Sequence, residues 1–317
     1  MSGRARTLLA LWRMARPAQL ALIALVYAFG VAMAYGHGAA ATTGSVGFGL
    51  LALLPTAASV HYANEYADVE TDALTDRTPF SGGSGALADA GLSPRIALVA
   101  TAVSGGVGLG LIGLGLIGLE TVLPGGRPLA RVPALLLVGV LVVGWQYSLG
   151  PLRLAWNGLG EVTNAALGGV ALPLYGFAVV TGEVTVAAAL ATVPFALVVF
   201  VNLLETQWPD READAAVGKR TLATRWSPER LRLVYGSGSA AAAVATIALA
   251  GRVLPVVVVI ATLVPMVGLP IGLARFTRRE EPLPAVATMV VLAFTTTVGW
   301  VIVAEPVLAD LGRWLSS

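Results

Sequence analysis

Residues 186–223 read VAAALATVPFALVVFVNLLETQWPDREADAAVGKRTLA. The stretch 186–206 is almost wholly apolar and long enough to cross a bilayer, which takes roughly 20 such residues. It then runs into Pro209, two carboxylates four residues apart (Asp210 and Asp214), and the basic pair Lys219-Arg220. Pro209 removes a backbone donor and should break the helix just before Asp210. A membrane helix that ends in a carboxylate-bearing turn fixes the fold class, all-α, and places the polar chemistry at a membrane face.

Eight further apolar runs have the length of a span: 18–36, 44–66, 96–119, 132–149, 159–181, 232–250, 253–274 and 284–304. Pro, Gly and charged residues punctuate the breaks between them. The expectation is a polytopic membrane bundle of nine transmembrane helices, with residues 1–317 forming a single domain. Composition agrees. Charged residues make up 12% of the chain, about half the roughly 25% of a soluble domain, and the mean hydropathy is +0.80. The net charge is only +2, and no basic cluster is interleaved with aromatics, so nucleic acid is not an expected partner. The absence of cysteine excludes disulfides, thiol nucleophiles and Cys-ligated metals. Arg4, Arg6, Arg13 and Arg16 ahead of a run ending in Ala32-Met33-Ala34 imitate a signal peptide, but the many later spans favour an uncleaved first span.

Lys and Arg set the orientation. With the N-terminus cytoplasmic, that side carries 16 basic residues and the opposite side 4 (Arg127, Arg131, Arg252 and Arg313). The acidic segments after the second and sixth spans then share the cytoplasmic face.

The segment after the second span reads HYANEYADVETDALTDRTPF, residues 61–80. Asn64, Asp68 and Asp72 are spaced i, i+4, i+8 and stack along one helix face. Two carboxylates and an amide oxygen form a hard, oxygen-only donor set suited to Mg²⁺, which takes one or two carboxylates and completes its shell with water and phosphate. Glu65, Glu70 and Asp76 fall off this face, where solvent is the expected surrounding. The two segments repeat: an offset of 142 carries Asp68 onto Asp210, Asp72 onto Asp214 and Arg77 onto Lys219, with Thr206 in the place of Asn64. Single charges at helix ends are ordinary. Two matching carboxylate pairs, each followed five residues later by a cation, point to a diphosphate bridged by metal.

Other features admit two readings. Gly218-Lys219-Arg220-Thr221 lacks the upstream glycine of a Walker A loop, since Ala213 stands there. Pro79-Phe80-Ser81-Gly82-Gly83-Ser84-Gly85 could cradle phosphate, move as a lid, or merely connect. Tyr147 could face a cation with its ring or anchor at the interface. His61 reads as a polar neighbour rather than a base, and His37 as an exposed loop residue. Gly108-x-Gly110-x-x-Gly113 sits inside an apolar span and reads as helix packing, not as a dinucleotide loop.

With these motifs in place, the sequence resembles the UbiA superfamily of intramembrane prenyltransferases. Arg16-Pro17 is similar to its opening. Asn64, Asp68 and Asp72 match its first motif, N-x-x-x-D-x-x-x-D; Asp210 and Asp214 with the trailing GKRTLA (218–223) match its second. Tyr147-Ser148-Leu149-Gly150-Pro151 and Gly158-Leu159-Gly160-Glu161 resemble the branch that prenylates 1,4-dihydroxy-2-naphthoate for menaquinone. That branch usually has a basic residue where this chain has 80–85, and Thr206 and Pro209 also depart from it, which bears on the acceptor. The resemblance implies Mg²⁺-dependent transfer from an isoprenoid diphosphate to a lipid-accessible aromatic acceptor, with the prenyl tail in an apolar tunnel open to membrane lipid. It implies Asp68, Asp72, Asp210 and Asp214 as the metal shell and Asn64 as its support. Arg77, Lys219 and Arg220 would contact the diphosphate. Same-fold alternatives differ in acceptor: hydroxybenzoate, homogentisate, a chlorophyllide, haem, or a glycerol or sugar phosphate. A transporter would instead place its polar groups near the bilayer midplane and in broken helices.

Overall fold

The computed structural model describes residues 3–40, 43–75, 82–117 and 129–315. Within them the chain is helical, apart from turns and one isolated bridge between Ala250 and Leu254. It opens with α1 (Gly3–Met14), a short basic helix that exposes Leu8, Leu9 and Trp12. Charge and apolar bulk on one short helix suit a position in the plane of the interface. The spans begin with α2 (Pro17–Gly36), where Pro17 takes the first helical position and Arg16 the left-handed conformation before it, φ 53°. Next come α3 (Thr43–Ala67), a short α4 (Val69–Leu74) and α5 (Ala86–Ala90), then the spans α6 (Arg95–Ile117) and α7 (Arg131–Ser148).

The fifth span is composite: α8 (Gly160–Ala166), a π-helical turn (Leu167–Ala171) and α9 (Leu172–Thr181). The sixth, α10 (Val186–Gln207), stops one residue before Trp208-Pro209 and gives way to α11 (Arg211–Ala216) and α12 (Leu222–Arg225). The break at Pro209 falls where its missing N–H requires it. Then follow α13 (Pro228–Ala248), α14 (Val256–Leu263), a 3₁₀ turn (Pro265–Val267), α15 (Gly268–Arg275) and α16 (Leu283–Leu315). Among the described residues nine helices are long and apolar enough to cross a membrane, the last of them over Leu283–Glu305. The seventh span begins at Pro228, earlier than the apolar run itself, because Ser227 accepts a hydrogen bond from the Arg230 amide and caps it.

Lipid-facing and core-facing surfaces separate along the helices. On α6, Val99, Val103 and Val107 are exposed, while Thr101, Gly105, Gly108 and Ile112 are buried. Gly105 lies against Trp145 and Ser59, and Gly108 against Thr56, so these two admit close neighbours as small residues do between membrane helices. Gly110 and Gly113 meet nothing within 4 Å. Packing thus accounts for Gly108 alone among the three glycines of that motif. At the middle of the bundle α2 meets α9 backbone to backbone. A Cβ on Gly30 would coincide with the Pro173 carbonyl, and one on Gly176 with the Tyr27 carbonyl. Phe29, Tyr175, Phe195 and Leu204 fill the surrounding core.

Candidate functional site

Both aspartate motifs sit where a span ends. Asp68 is the residue between α3 and α4, and Asp210 the residue before α11. The helical register runs through the first break, where the Asp68 amide donates to the Asn64 carbonyl at 2.9 Å and the Asp72 amide to the Asp68 carbonyl at 2.8 Å; just past the second, the Asp214 amide donates to the Asp210 carbonyl at 2.8 Å. The four-residue spacing therefore still places the carboxylates of each pair on one side. The short helices α4 and α11 pack against each other, which brings the two distant segments together.

Lys219 joins them. Its Nζ lies 3.2 Å from Asp68 Oδ1 and 3.3 Å from Asp214 Oδ1. The backbone supports this reach: the Lys219 amide donates to the Asp214 carbonyl at 2.8 Å, past Gly218 in the left-handed region at φ 79°. Burial disfavours the Lys219 ammonium, but Asp68 and Asp214 outweigh it and hold its pKa above the ordinary lysine range. Asp214 is pushed up to about 6, chiefly by burial, with Lys219 opposing. Asp72 is pushed up to about 7 by burial, then by the charges of Asp68 and Glu65. Crowded carboxylates held above their usual range form an environment that added positive charge relieves.

Around this centre the Asn64 side-chain amide donates to Asp68 Oδ2 at 2.7 Å and lies 3.4 Å from Ser148 Oγ. It supports Asp68 through its nitrogen. Tyr147 is partly buried, with Lys219 and Asp68 in electrostatic reach and its hydroxyl hydrogen-bonded to Asn164. Arg220 is exposed. Its amide donates to the Trp156 carbonyl at 3.0 Å, and its side chain joins no ion pair among the described residues. Arg77 lies outside the described residues.

Several participants escaped the sequence reading. Glu65, expected in solvent, is 3% exposed. Its Oε1 accepts from Arg16 Nε at 2.9 Å and Nη2 at 2.6 Å and from the Ser84 amide at 3.0 Å, while Oε2 accepts from Ser84 Oγ at 2.6 Å. Arg13 adds hydrogen bonds to the Ser84 carbonyl at 2.9 Å and to Asp89 at 2.8 Å. The glycine-rich loop is thereby tied down at Ser84. Gly83, at φ 64°, lies directly on the Asp72 carboxylate, where a Cβ would overlap Oδ2. Glu161 is buried and accepts from the Leu222 amide at 2.6 Å, anchoring the start of α12 and with it the segment carrying Lys219. Adjacency in sequence signals none of these pairings. His61 Nδ1 donates to the Ala15 carbonyl, 2.8 Å away, a structural contact. His37 is exposed and stacks on Trp300 with ring centroids 5.0 Å apart.

Among the described residues no three His, Asp or Glu side chains are arranged to hold a metal by themselves. The donor chemistry nonetheless fits a hard divalent cation, because Mg²⁺ needs only one or two carboxylates when phosphate oxygens complete its shell.

Comparison with known proteins agrees with this architecture. No curated protein sequence matches the chain significantly. Solved structures do. A UbiA homologue from Archaeoglobus fulgidus bound to GPP and Mg²⁺ superposes with a TM-score of 0.69 at 18% identity, over 93% of this chain and 99% of that one. A digeranylgeranylglyceryl phosphate synthase gives 0.64 at 11% identity, over 94% and 98%. The apo UbiA homologue from Aeropyrum pernix K1 gives 0.62 at 16%, over 92% and 97%. At these identities the likeness establishes the fold, that of a multi-pass integral membrane protein. Residues 23–297 match the UbiA prenyltransferase family itself, and the chain belongs to that family.

Proposed function

We propose that the protein transfers a prenyl group from an isoprenoid diphosphate to an aromatic acceptor in a Mg²⁺-dependent reaction, with 1,4-dihydroxy-2-naphthoate as the acceptor. The observation that carries the reaction class is the convergence of Asp68 and Asp214 on Lys219. Two carboxylates and a cation from opposite halves of the chain meet where spans end. The acidic groups of the site sit at that boundary, unlike the midplane site of a transporter. The acceptor assignment rests on the sequence similarity of the Tyr147–Pro151 and Gly158–Glu161 segments to one branch of the family.

In this reading Asp68, Asp72, Asp210 and Asp214 form the metal shell, and Asn64 orients Asp68. When bound, Mg²⁺ supplies positive charge to the leaving diphosphate. Lys219, Arg77 and Arg220 contact its oxygens, and they gain most as charge accumulates there in the transition state. The allylic C–O bond breaks with its electron pair going to the diphosphate. An aromatic carbon of the acceptor bonds to the allylic carbon, the ring proton is released, and the Tyr147 ring faces the developing positive charge.

The test is incubation of purified protein in nanodiscs with a panel of prenyl diphosphates and aromatic acceptors, read by mass spectrometry. The expected result is prenylated dihydroxynaphthoate, lost in EDTA and restored by Mg²⁺. Turnover in chelator, after metal analysis confirms removal, refutes the mechanism; product with another acceptor alone refutes the acceptor.

The site is further proposed to face the cytoplasm, on the excess of Lys and Arg at that side. The chain has no cysteine, so single cysteines report cleanly. Arg278→Cys is expected to react with an impermeant thiol reagent from the cytoplasmic side and Arg252→Cys from the other. The reverse pattern inverts the orientation.

A further inference from the structure

We infer that the indole N–H of Trp156 is a diphosphate ligand, donating to a phosphate oxygen held beside Lys219; this rests on the prenyl diphosphate reading of the site. Trp156 lies in the 149–159 connection between α7 and α8. The Trp156 Nε1 is buried and, among the described residues, has no hydrogen-bond partner. A buried donor left without a partner is costly, and native structures leave few of them, often where a ligand supplies the acceptor.

Its surroundings indicate which ligand. Lys219 Nζ stands 5.9 Å from the Trp156 ring centroid, and Arg153 Cζ stacks on the ring at 4.0 Å. An aromatic ring with two cations close to it and an unused N–H in its plane forms a local environment for an anion. The other orphaned indole among the described residues, Trp300 Nε1, belongs to a ring that stacks on His37, and no Lys or Arg lies over it there.

The connection is built to hold Trp156 still. The amides of Leu154 and Ala155 donate to the carbonyls of Gln146 and Tyr147, each at 2.9 Å, and the Trp156 amide donates to the Arg153 carbonyl at 2.8 Å. Gln146 Oε1 accepts from the Leu152 amide at 3.1 Å, and Asn157 Nδ2 donates to the Leu152 carbonyl at 2.7 Å. Arg153 adopts φ 44°, a conformation disfavoured for a residue with a side chain. The Trp156 carbonyl accepts from the Arg220 amide, which ties the ring to the Lys219 segment. Such bracing is what a fixed hydrogen-bond donor requires. An indole N–H does not titrate in the working range, so this contact persists at every pH at which the diphosphate is ionised.

The experiment uses the full-length protein in nanodiscs with Mg²⁺ and inorganic pyrophosphate as the probe. The chain has seven tryptophans, and the Trp156 indole resonance is the one missing from the ¹⁵N spectrum of Trp156→Phe. Pyrophosphate is expected to move that resonance downfield with the same saturation seen by calorimetry. Trp156→Phe, which keeps the ring, is expected to bind pyrophosphate about tenfold more weakly. Pyrophosphate binding to the wild type with the Trp156 resonance unmoved, or equal affinity in Trp156→Phe, overturns the inference. So does a shift produced only by the aromatic acceptor or by vesicles of anionic phospholipid. Failure of the wild type to bind pyrophosphate at all sinks the diphosphate reading itself, a distinct outcome. Should Trp156→Phe fail to fold, selective ¹⁵N labelling combined with substitution of each other tryptophan assigns the wild-type resonance, and its response alone decides.

Discussion

Lys219→Met is expected to slow turnover roughly ten- to a hundredfold and to destabilise the protein at the same time. The catalytic part follows from losing a charge-assisted contact to the leaving group, typically about 1.5–3 kcal/mol, at 1.4 kcal/mol per decade of rate. The stability part follows from burial. Asp214 is 2% exposed and Asp68 is 8% exposed, and both lose their cation at once. Breaking a buried ion pair from one side costs about 3–5 kcal/mol, because the remaining charge is uncompensated. Two carboxylates that face each other without Lys219 should then recruit another cation. Millimolar Mg²⁺ is accordingly expected to raise the unfolding midpoint of Lys219→Met more than that of the wild type. The measurements are kcat with saturating prenyl diphosphate and thermal unfolding with and without Mg²⁺. Near-wild-type turnover together with an unchanged midpoint would show that Lys219 is a topology anchor only.

Gly83→Ala is expected to cut kcat/KM for the prenyl diphosphate by at least about tenfold, in line with what small misplacements do to catalytic groups. The new methyl group would overlap the Asp72 carboxylate, so either the loop lifts or Asp72 rotates. Gly91→Ala provides the control. Gly91 has nearly the same backbone, φ 62°, yet nothing lies within 4 Å of its added Cβ. Both substitutions incur the left-handed penalty of about 1–2 kcal/mol, and only Gly83→Ala disturbs a carboxylate of the site. Comparable kinetics in the two variants would mean that Asp72 tolerates displacement and is not a metal ligand.

Much of the fold could be read from the sequence because membrane spans announce themselves by length and apolarity, which are properties of contiguous residues. The helix α1 could not. It is short and charged, and its role comes from exposed Leu8, Leu9 and Trp12 lying beside arginines, a pattern that a search for spans passes over. The aspartate pairs were visible for a similar reason: spacing within one segment survives folding, as the Asn64–Asp68–Asp72 hydrogen bonds show. Contacts between segments were not visible. Glu65 lies off the face of its own motif by periodicity, and only the return of the Ser84 loop and the turn at Arg16 bury it. Lys219 was assigned from its five-residue offset to Asp214. That the same ammonium also reaches Asp68 depends on α4 packing against α11. Arg220, beside it in sequence, is exposed and joins no ion pair among the described residues, a difference in burial between neighbours that spacing alone does not signal.

The backbone contact between α2 and α9 bears on traffic with the bilayer. At Gly30 and Gly176 no side chain stands between the two helices, and the carbonyls of Pro173 and Tyr27 occupy the space where one would stand. Lipid-soluble molecules enter a helical bundle by parting side chains, which swing among rotamers in nanoseconds; at these two positions there is none to part. Opening this line would require whole helices to separate, against their closest packing. The first and fifth spans therefore form a welded seam, and a hydrocarbon chain that slips sideways into or out of the bundle has to use a different gap.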